Sequence, residues 1–192
     1  MKEMKEMVDF MTDNDRVQCK LLALLLDYPA ASWETDLVDV RETVDTVDDR
    51  QRRDLLQKFL HYAEATPLVK LQETYTAAFD LEPATSLYLT YHLMGDSEDR
   101  GKALAALLWL YHREGYDAAI GELPDYLPMI LEFLALCPKP EDADLLWSCL
   151  GTVTDLAERL AKNSHPYAGL VELAADIVHP RMSTHPDTSK EV

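Results

Sequence analysis

Leu146-Trp-Ser-Cys-Leu-Gly-Thr-Val-Thr-Asp-Leu-Ala-Glu-Arg-Leu160 is the stretch that decides the fold class. Leu146, Cys149, Val153, Leu156 and Leu160 follow one another at intervals of 3, 4, 3 and 4. At 3.6 residues per turn these positions share one helix face. The spacing predicts a single long helix with one buried stripe, Cys149 included.

The same period recurs on both sides. Leu170, Leu173, Ala174 and Ile177 make another inward face downstream. Upstream, Leu127, Ile130, Leu131 and Leu134 predict a helix opened by Glu122-Leu-Pro-Asp-Tyr-Leu-Pro128, and Cys137-Pro-Lys-Pro140 reads as a stiff connector after it. Leu104, Leu107, Leu108 and Tyr111 form a stripe that Gly115 should close. Leu68, Leu71, Tyr75, Ala78 and Phe79 follow Pro67, a residue suited to a first helical turn. Leu56, Phe59, Leu60 and Ala63 follow Asp48 or Asp49 as cap. Trp33, Leu37, Val40, Val44 and Val47 are spaced for a helix whose opposite face, Glu34 to Asp45, is acidic and wet.

Val17, Leu21, Leu24, Leu25 and Tyr28 share a face, but Leu22, Ala23 and Leu26 cover the others. A helix apolar nearly all round is a central one, and Asp27-Tyr28-Pro29 ends it. A short segment capped by Thr85 or Ser86 reaches His92, and Gly95-Asp96-Ser97 is a turn. Glycine is scarce, at six residues, and strand-like alternation is nearly absent. The expectation is all-α: a single-domain bundle of about eight or nine helices over residues 14–178. Residues 1–13 read as a flexible N-terminus and 179–192 as a disordered tail.

Length and charge narrow the function. The 192 residues suffice for one core without staples. A formal charge of −17, from 35 acids and 18 bases, disfavours a phosphate backbone or an anionic membrane as partner. Cys19, Cys137 and Cys149 are odd in number and far apart, with no CxxC, so neither a disulfide framework nor a zinc module is indicated. The N-terminus lacks the apolar run of a secretory signal. The longest apolar run, Ala103 to Tyr111, is half of what a membrane span needs. Together these indicate a cytoplasmic protein without nucleic-acid or stable membrane association.

Enzyme signatures are missing from the sequence. It has no GxGxxG, no P-loop, no HExxH and no GxSxG, and no glutamate has a histidine three residues on, as a di-iron bundle would require. Two segments stand out instead. In the first, Leu87, Tyr88, Tyr91 and His92 fall within one or two turns, and tyrosines favour recognition surfaces. Beyond them Arg100 sits in a helix's first turn, where the dipole disfavours a cation, so it needs a carboxylate partner. In the second, Glu122 and Asp125 lie close to Tyr126, Leu127, Ile130 and Glu132. Asp125 is either the cap of the helix that follows, able to bond only the Leu127 N–H because Pro128 has none, or a ligand-facing acid.

These segments resemble the NarJ-type nitrate reductase assembly chaperones, the delta subunit group of the TorD-like molybdoenzyme maturation chaperones. The resemblance rests on Leu24-Leu-Leu-Asp-Tyr-Pro29, Tyr75-Thr-Ala-Ala-Phe-Asp80, Ala84-Thr-Ser-Leu87, His92, Gly95-Asp-Ser-Glu-Asp-Arg-Gly101, Glu122-Leu-Pro-Asp-Tyr-Leu-Pro128 and Leu131-Glu-Phe-Leu134. It spans roughly Leu21 to Tyr167. Tyr126 stands where the family commonly has histidine, and Met94 replaces a second one.

The resemblance implies an all-helical cytoplasmic chaperone rather than an enzyme. Such a chaperone binds the N-terminal segment of a molybdoenzyme catalytic subunit and supports molybdenum-cofactor insertion before membrane docking. No cofactor is held stably; it belongs to the client. Cofactor-delivery proteins are further partners of this class. The segment expected is a basic amphipathic helix, its apolar face against Leu87, Tyr88, Tyr91, Leu127 and Ile130 and its cations on Glu122, Asp125 and Glu132, with His92, Arg100 and Tyr126 completing the site. Two other readings stay open: a small enzyme or cofactor-binding protein using Glu122 and Asp125 as acid and base, and an adaptor without a groove.

Overall fold

A computed structural model describes residues 11–118, 121–137, 140 and 143–182; of Glu34, Asp36 and residues 180–182 it describes the backbone alone. Within these residues the chain is predominantly helical, with no strand. Ten α-helices run in order: α1 Asp13–Leu25, α2 Trp33–Val44, α3 Arg50–Ala65, α4 Leu68–Tyr75, α5 Leu89–Met94, α6 Asp99–Arg113, α7 Leu127–Leu136, α8 Asp144–Gly151, α9 Val153–Lys162 and α10 Ala168–Met182. A π turn over Thr76–Asp80 and a 3-10 turn over Pro83–Thr85 link α4 to α5.

The quoted stretch is helical, with its stripe inward as its spacing requires: Leu146, Cys149, Val153, Leu156 and Leu160 are all buried. It is not one straight rod. Thr152 separates α8 from α9, its N–H and hydroxyl both donating to the Cys149 carbonyl at 3.0 and 2.8 Å. Gly151 and a β-branched threonine make this a cheap place to bend. Counted as one bent rod, the pair reduces ten helices to nine.

α1 and α7 form the central antiparallel pair. Near one end, Arg16 Nε donates to the Ala135 carbonyl at 2.8 Å, and at the other Tyr126 meets Asp27. α1 begins with a capping box: Thr12 Oγ1 accepts from the Asp15 N–H, and Asp15 Oδ2 accepts from the Thr12 N–H, both at 3.1 Å. Met11 is buried as well, so order begins before residue 14. The expected flexibility of residues 1–10 lies outside the described residues. α10 continues to Met182, past the expected start of the tail at 179, while residues 183–192 and Pro138-Lys139 of the connector are likewise outside.

Asp49, rather than Asp48, caps α3 through the Arg52 N–H at 2.9 Å. Phe59, Tyr75, Phe79 and Tyr167 pack ring on ring, with centroids 4.8 to 5.8 Å apart.

Two stripes differ from the sequence reading. On α6 the buried residues are Ala103, Leu107, Leu110 and Tyr111; Leu108 is 40% exposed and Leu104 half-buried. Tyr111 sets that rotation, because its hydroxyl donates to the Pro124 carbonyl at 2.6 Å inside the core. On α1 the buried set is Asp15, Gln18, Cys19, Leu21, Leu22 and Leu25, whereas Val17, Leu24 and Tyr28 are open. A segment apolar on all sides offers periodicity no means of choosing which face turns inward.

Candidate functional site

The two unusual segments meet in space. An antiparallel bridge joins Tyr88 to Tyr126: the Leu127 N–H donates to the Leu87 carbonyl at 2.9 Å and the Leu89 N–H to the Asp125 carbonyl at 3.0 Å. The chain entering α5 is thereby pinned to the chain entering α7. The Tyr88 and Tyr126 rings lie 5.4 Å apart across the bridge.

Asp125 faces α5 from beneath. It is fully buried, and Oδ2 accepts from the Thr90 N–H at 3.0 Å and from the Thr90 hydroxyl. Helix α5 has only six residues, and its own N-cap, Tyr88, supplies no side-chain acceptor. Asp125 therefore satisfies an amide of α5 from another part of the chain. This corrects the cap expectations in both segments. Neither Thr85 nor Ser86 caps α5, and α7 takes Tyr126 as N-cap with Pro128 in its first turn.

Arg100 has the expected carboxylate partner. Its Nη2 lies 3.7 Å from Asp125 Oδ2, its Nε donates to Thr90 Oγ1 at 3.0 Å, and its guanidinium sits 5.8 Å from the Tyr91 ring centre. The His92 ring donates from Nε2 to the Ser86 carbonyl at 2.7 Å. Arg100, Tyr91 and His92 thus brace α5 and its approach.

The remaining predicted residues divide by depth. Leu87, Leu127 and Ile130 are core side chains at 0–1% exposure, so with Asp125 they shape the site from below and present no contact surface. Tyr88, Glu122, Tyr126 and Glu132 do converge. Glu122, Tyr126 and Glu132 line an open trough of about 400 Å³ between α1 and α7, and Tyr88 reaches its edge through Glu122.

Three carboxylates rim this trough, and each is held by a phenol. Tyr126 donates to Asp27 Oδ1 at 3.0 Å, Tyr88 to Glu122 Oε1 at 2.9 Å and Tyr116 to Glu132 Oε2 at 2.8 Å. The Tyr75 hydroxyl backs Tyr126 at 2.5 Å and lies 3.1 Å from the Leu26 carbonyl. Burial first, and the adjoining carboxylates next, hold the Tyr88 and Tyr116 phenols above their usual range; in Tyr126 burial is followed by Tyr75 and then Asp27. All three remain protonated donors at neutral pH. Ala23, Leu24, Pro128 and Met129 supply the apolar lining, and Lys20 is the cation on the wall. The trough thus combines an apolar floor with a surplus of fixed negative charge, which suits a cationic amphipathic ligand.

The α1 contribution and Tyr116 were not among the predicted site residues. A signal for the former was present in Leu24-Leu-Leu-Asp-Tyr-Pro29, whose Leu24 and Asp27 line the trough; Tyr116 had no sequence signal. Among the described residues no group of histidine, cysteine and carboxylate side chains could hold a metal ion, and no helix is long and apolar enough to cross a membrane. The burial of Asp125 also keeps it from serving as an acid or base on a substrate.

The profile of the nitrate reductase delta subunit matches residues 45–171. The chain belongs to the nitrate reductase delta subunit family. A delta-subunit relative from Bacillus subtilis (strain 168), named a probable nitrate reductase molybdenum cofactor assembly chaperone NarJ, is 32% identical over 162 residues, 84% of this chain and 88% of the relative. Nitrate reductase molybdenum cofactor assembly chaperone NarJ of Escherichia coli (strain K12) is 31% identical over 159 residues, 82% of this chain and 67% of that protein. These names denote a non-enzymatic role. The crystal structure of a redox enzyme maturation protein from Archaeoglobus fulgidus superposes with a TM-score of 0.56 at 21% identity, covering 90% of this chain and 94% of that one. At that identity it bears out the all-helical fold alone.

Proposed function

We propose that this delta-subunit family member is a cytoplasmic assembly chaperone for a molybdenum-containing respiratory oxidoreductase, a nitrate reductase by its relatives' names. It takes the N-terminal segment of the catalytic subunit into the α1/α7 trough and keeps that subunit competent for molybdenum-cofactor insertion before membrane docking. The cofactor stays with the client, and proteins that deliver it are secondary partners.

The observation carrying this reading is the trio of phenol-held carboxylates, Asp27, Glu122 and Glu132, around an apolar floor. Each phenol occupies one carboxylate oxygen and fixes the other, so a cation meets a preorganised acceptor. Calorimetry with a synthetic peptide of the client's N-terminal segment tests the reading. Tyr88→Ala removes both the aromatic wall and the support of Glu122, and should cost roughly 2 kcal/mol of binding, the magnitude of an interface anchor. Glu132→Gln should act mainly on the association rate and its salt dependence. Wild-type affinity in both variants would refute the assignment.

A further inference from the structure

α1 carries an apolar face that nothing in the described chain covers. Val17 and Leu24 are each 37% exposed and Tyr28 just beyond the helix is 44% exposed, interleaved with the exposed charges of Lys20 and Asp27. A helix apolar all round belongs in an interior, flanked on every side. α7, α10 and α2 flank α1, and Val17, Lys20, Leu24 and Asp27 form the strip left open among the described residues.

A second trough, of about 320 Å³, flanks that face between α1 and α2. Val17, Leu21, Leu24 and Val40 give it an apolar lining, and Asp39 stands on it as an exposed acid. It shares Lys20 and Leu24 with the α1/α7 trough, so the two lie on either side of the ridge of α1. From Val17 to Asp27 that ridge measures about 15 Å, the length of a helix of about ten residues. Asp27, Asp39, Glu122 and Glu132 surround the two troughs, opposed there by Lys20.

From this adjacency and charge we infer that α1 is the central ridge of a two-sided site, and that a single basic amphipathic helix of the client straddles it. Side chains on one edge of the client's apolar stripe enter the α1/α7 trough, and those on the other edge enter the α1/α2 trough. The stripe of an ordinary amphipathic helix, roughly 100° wide, is broad enough to reach both sides of a ridge. The inference rests on the proposed function above and adds α2 to the surface that recognises the client. It assigns Val17 and Asp39 to binding, and it explains why α1 exposes apolar residues that folding alone would have covered.

The experiment pairs the two sides in the full-length protein, with a synthetic client N-terminal peptide of about 20 residues, enough for three turns and flanks. Val17→Ser and Asp39→Asn alter exposed positions of the α1/α2 side; Glu132→Gln and Tyr88→Ala report the α1/α7 side. Val17→Ser should weaken binding by about fivefold to tenfold, and Asp39→Asn by about twofold at low salt and less at high salt. Thermal melts superimposable on wild type keep the effects assigned to binding. Loss only in Glu132→Gln and Tyr88→Ala would overturn the two-sided site while leaving the α1/α7 reading intact. Loss in none of the four would remove that reading too. Another occupant overturns the inference as well: a second copy, if Val17→Ser dissolves a dimer seen by sedimentation without changing peptide affinity.

Discussion

Asp125→Ala should separate a structural linchpin from a ligand contact. The wild-type carboxylate is fully buried and accepts the Thr90 N–H at 3.0 Å, the Thr90 hydroxyl, and the charge of Arg100 at 3.7 Å. Truncation strands a buried amide at the start of α5, worth about 1–3 kcal/mol. It also leaves Arg100, whose side chain is 22% exposed, without its counter-ion. Breaking a buried pair from one side costs about 3–5 kcal/mol, and because the losses share partners they do not simply add. A loss of about 3–5 kcal/mol in urea unfolding followed by far-ultraviolet circular dichroism is the expected result. Asp125→Asn keeps an acceptor for Thr90 but loses the charge and buries an amide NH2 where the wild-type Oδ1 has no partner, so it should cost about 1–3 kcal/mol. Arg100→Met on the Asp125→Ala background should cost less than Arg100→Met alone, the difference measuring the pair. If Asp125→Ala unfolds within about 0.5 kcal/mol of wild type, as substitutions away from such contacts do, α5 is not held in the way described.

Alkaline pH should unfold the protein cooperatively. Burial raises Tyr75, Tyr111, Tyr126 and Tyr167 well above the usual phenol range and pushes the Cys149 thiol up to about 12, with Asp125 as a second cause there. Once unfolded, these tyrosines release protons near pH 10, whereas folded they keep them, so stability falls above that pH by about 1.4 kcal/mol per unit for each group; the part of the tyrosinate absorbance that belongs to these buried phenols should appear only together with unfolding. Tyr126→His places a titratable ring beside Asp27, so the variant should bind a cationic peptide less well near pH 6 than near pH 8, where wild type is flat; equal profiles would refute the assigned role of the Asp27 charge. Gly95→Ala meets no steric neighbour but forces φ +58° and ψ −139° on an alanine, and should cost about 1–3 kcal/mol in thermal melts while lowering peptide affinity through α5.

Much of the helix content was open to reading. Every position of the stripe Leu56, Phe59, Leu60 and Ala63 is buried, as is every position of Trp33 to Val47 in its stripe. The need of Arg100 for a carboxylate followed from its place in a first turn, and Asp125 supplies it. The site was legible only in part. Glu122, Tyr126 and Glu132 were identified and do meet, but Leu127 and Ile130, equally apolar and adjacent in sequence, lie in the core. Apolar character marks a residue as one that leaves water without saying whether it leaves for the interior or for a partner.

Local chemistry, then, determined that this chain is helical, where most helices start and stop, and which family it resembles, because spacing, capping residues and prolines act within a few residues of themselves. Tertiary structure alone decided which face of α1 is buried, that Asp125 serves α5 instead of the helix it precedes, and that Asp27 joins Glu132 across 105 residues on one trough. Those outcomes depend on how helices rotate against one another when the core closes. A rotation of one residue, about 100°, exchanges a core leucine for a docking surface without altering the periodicity that either would show.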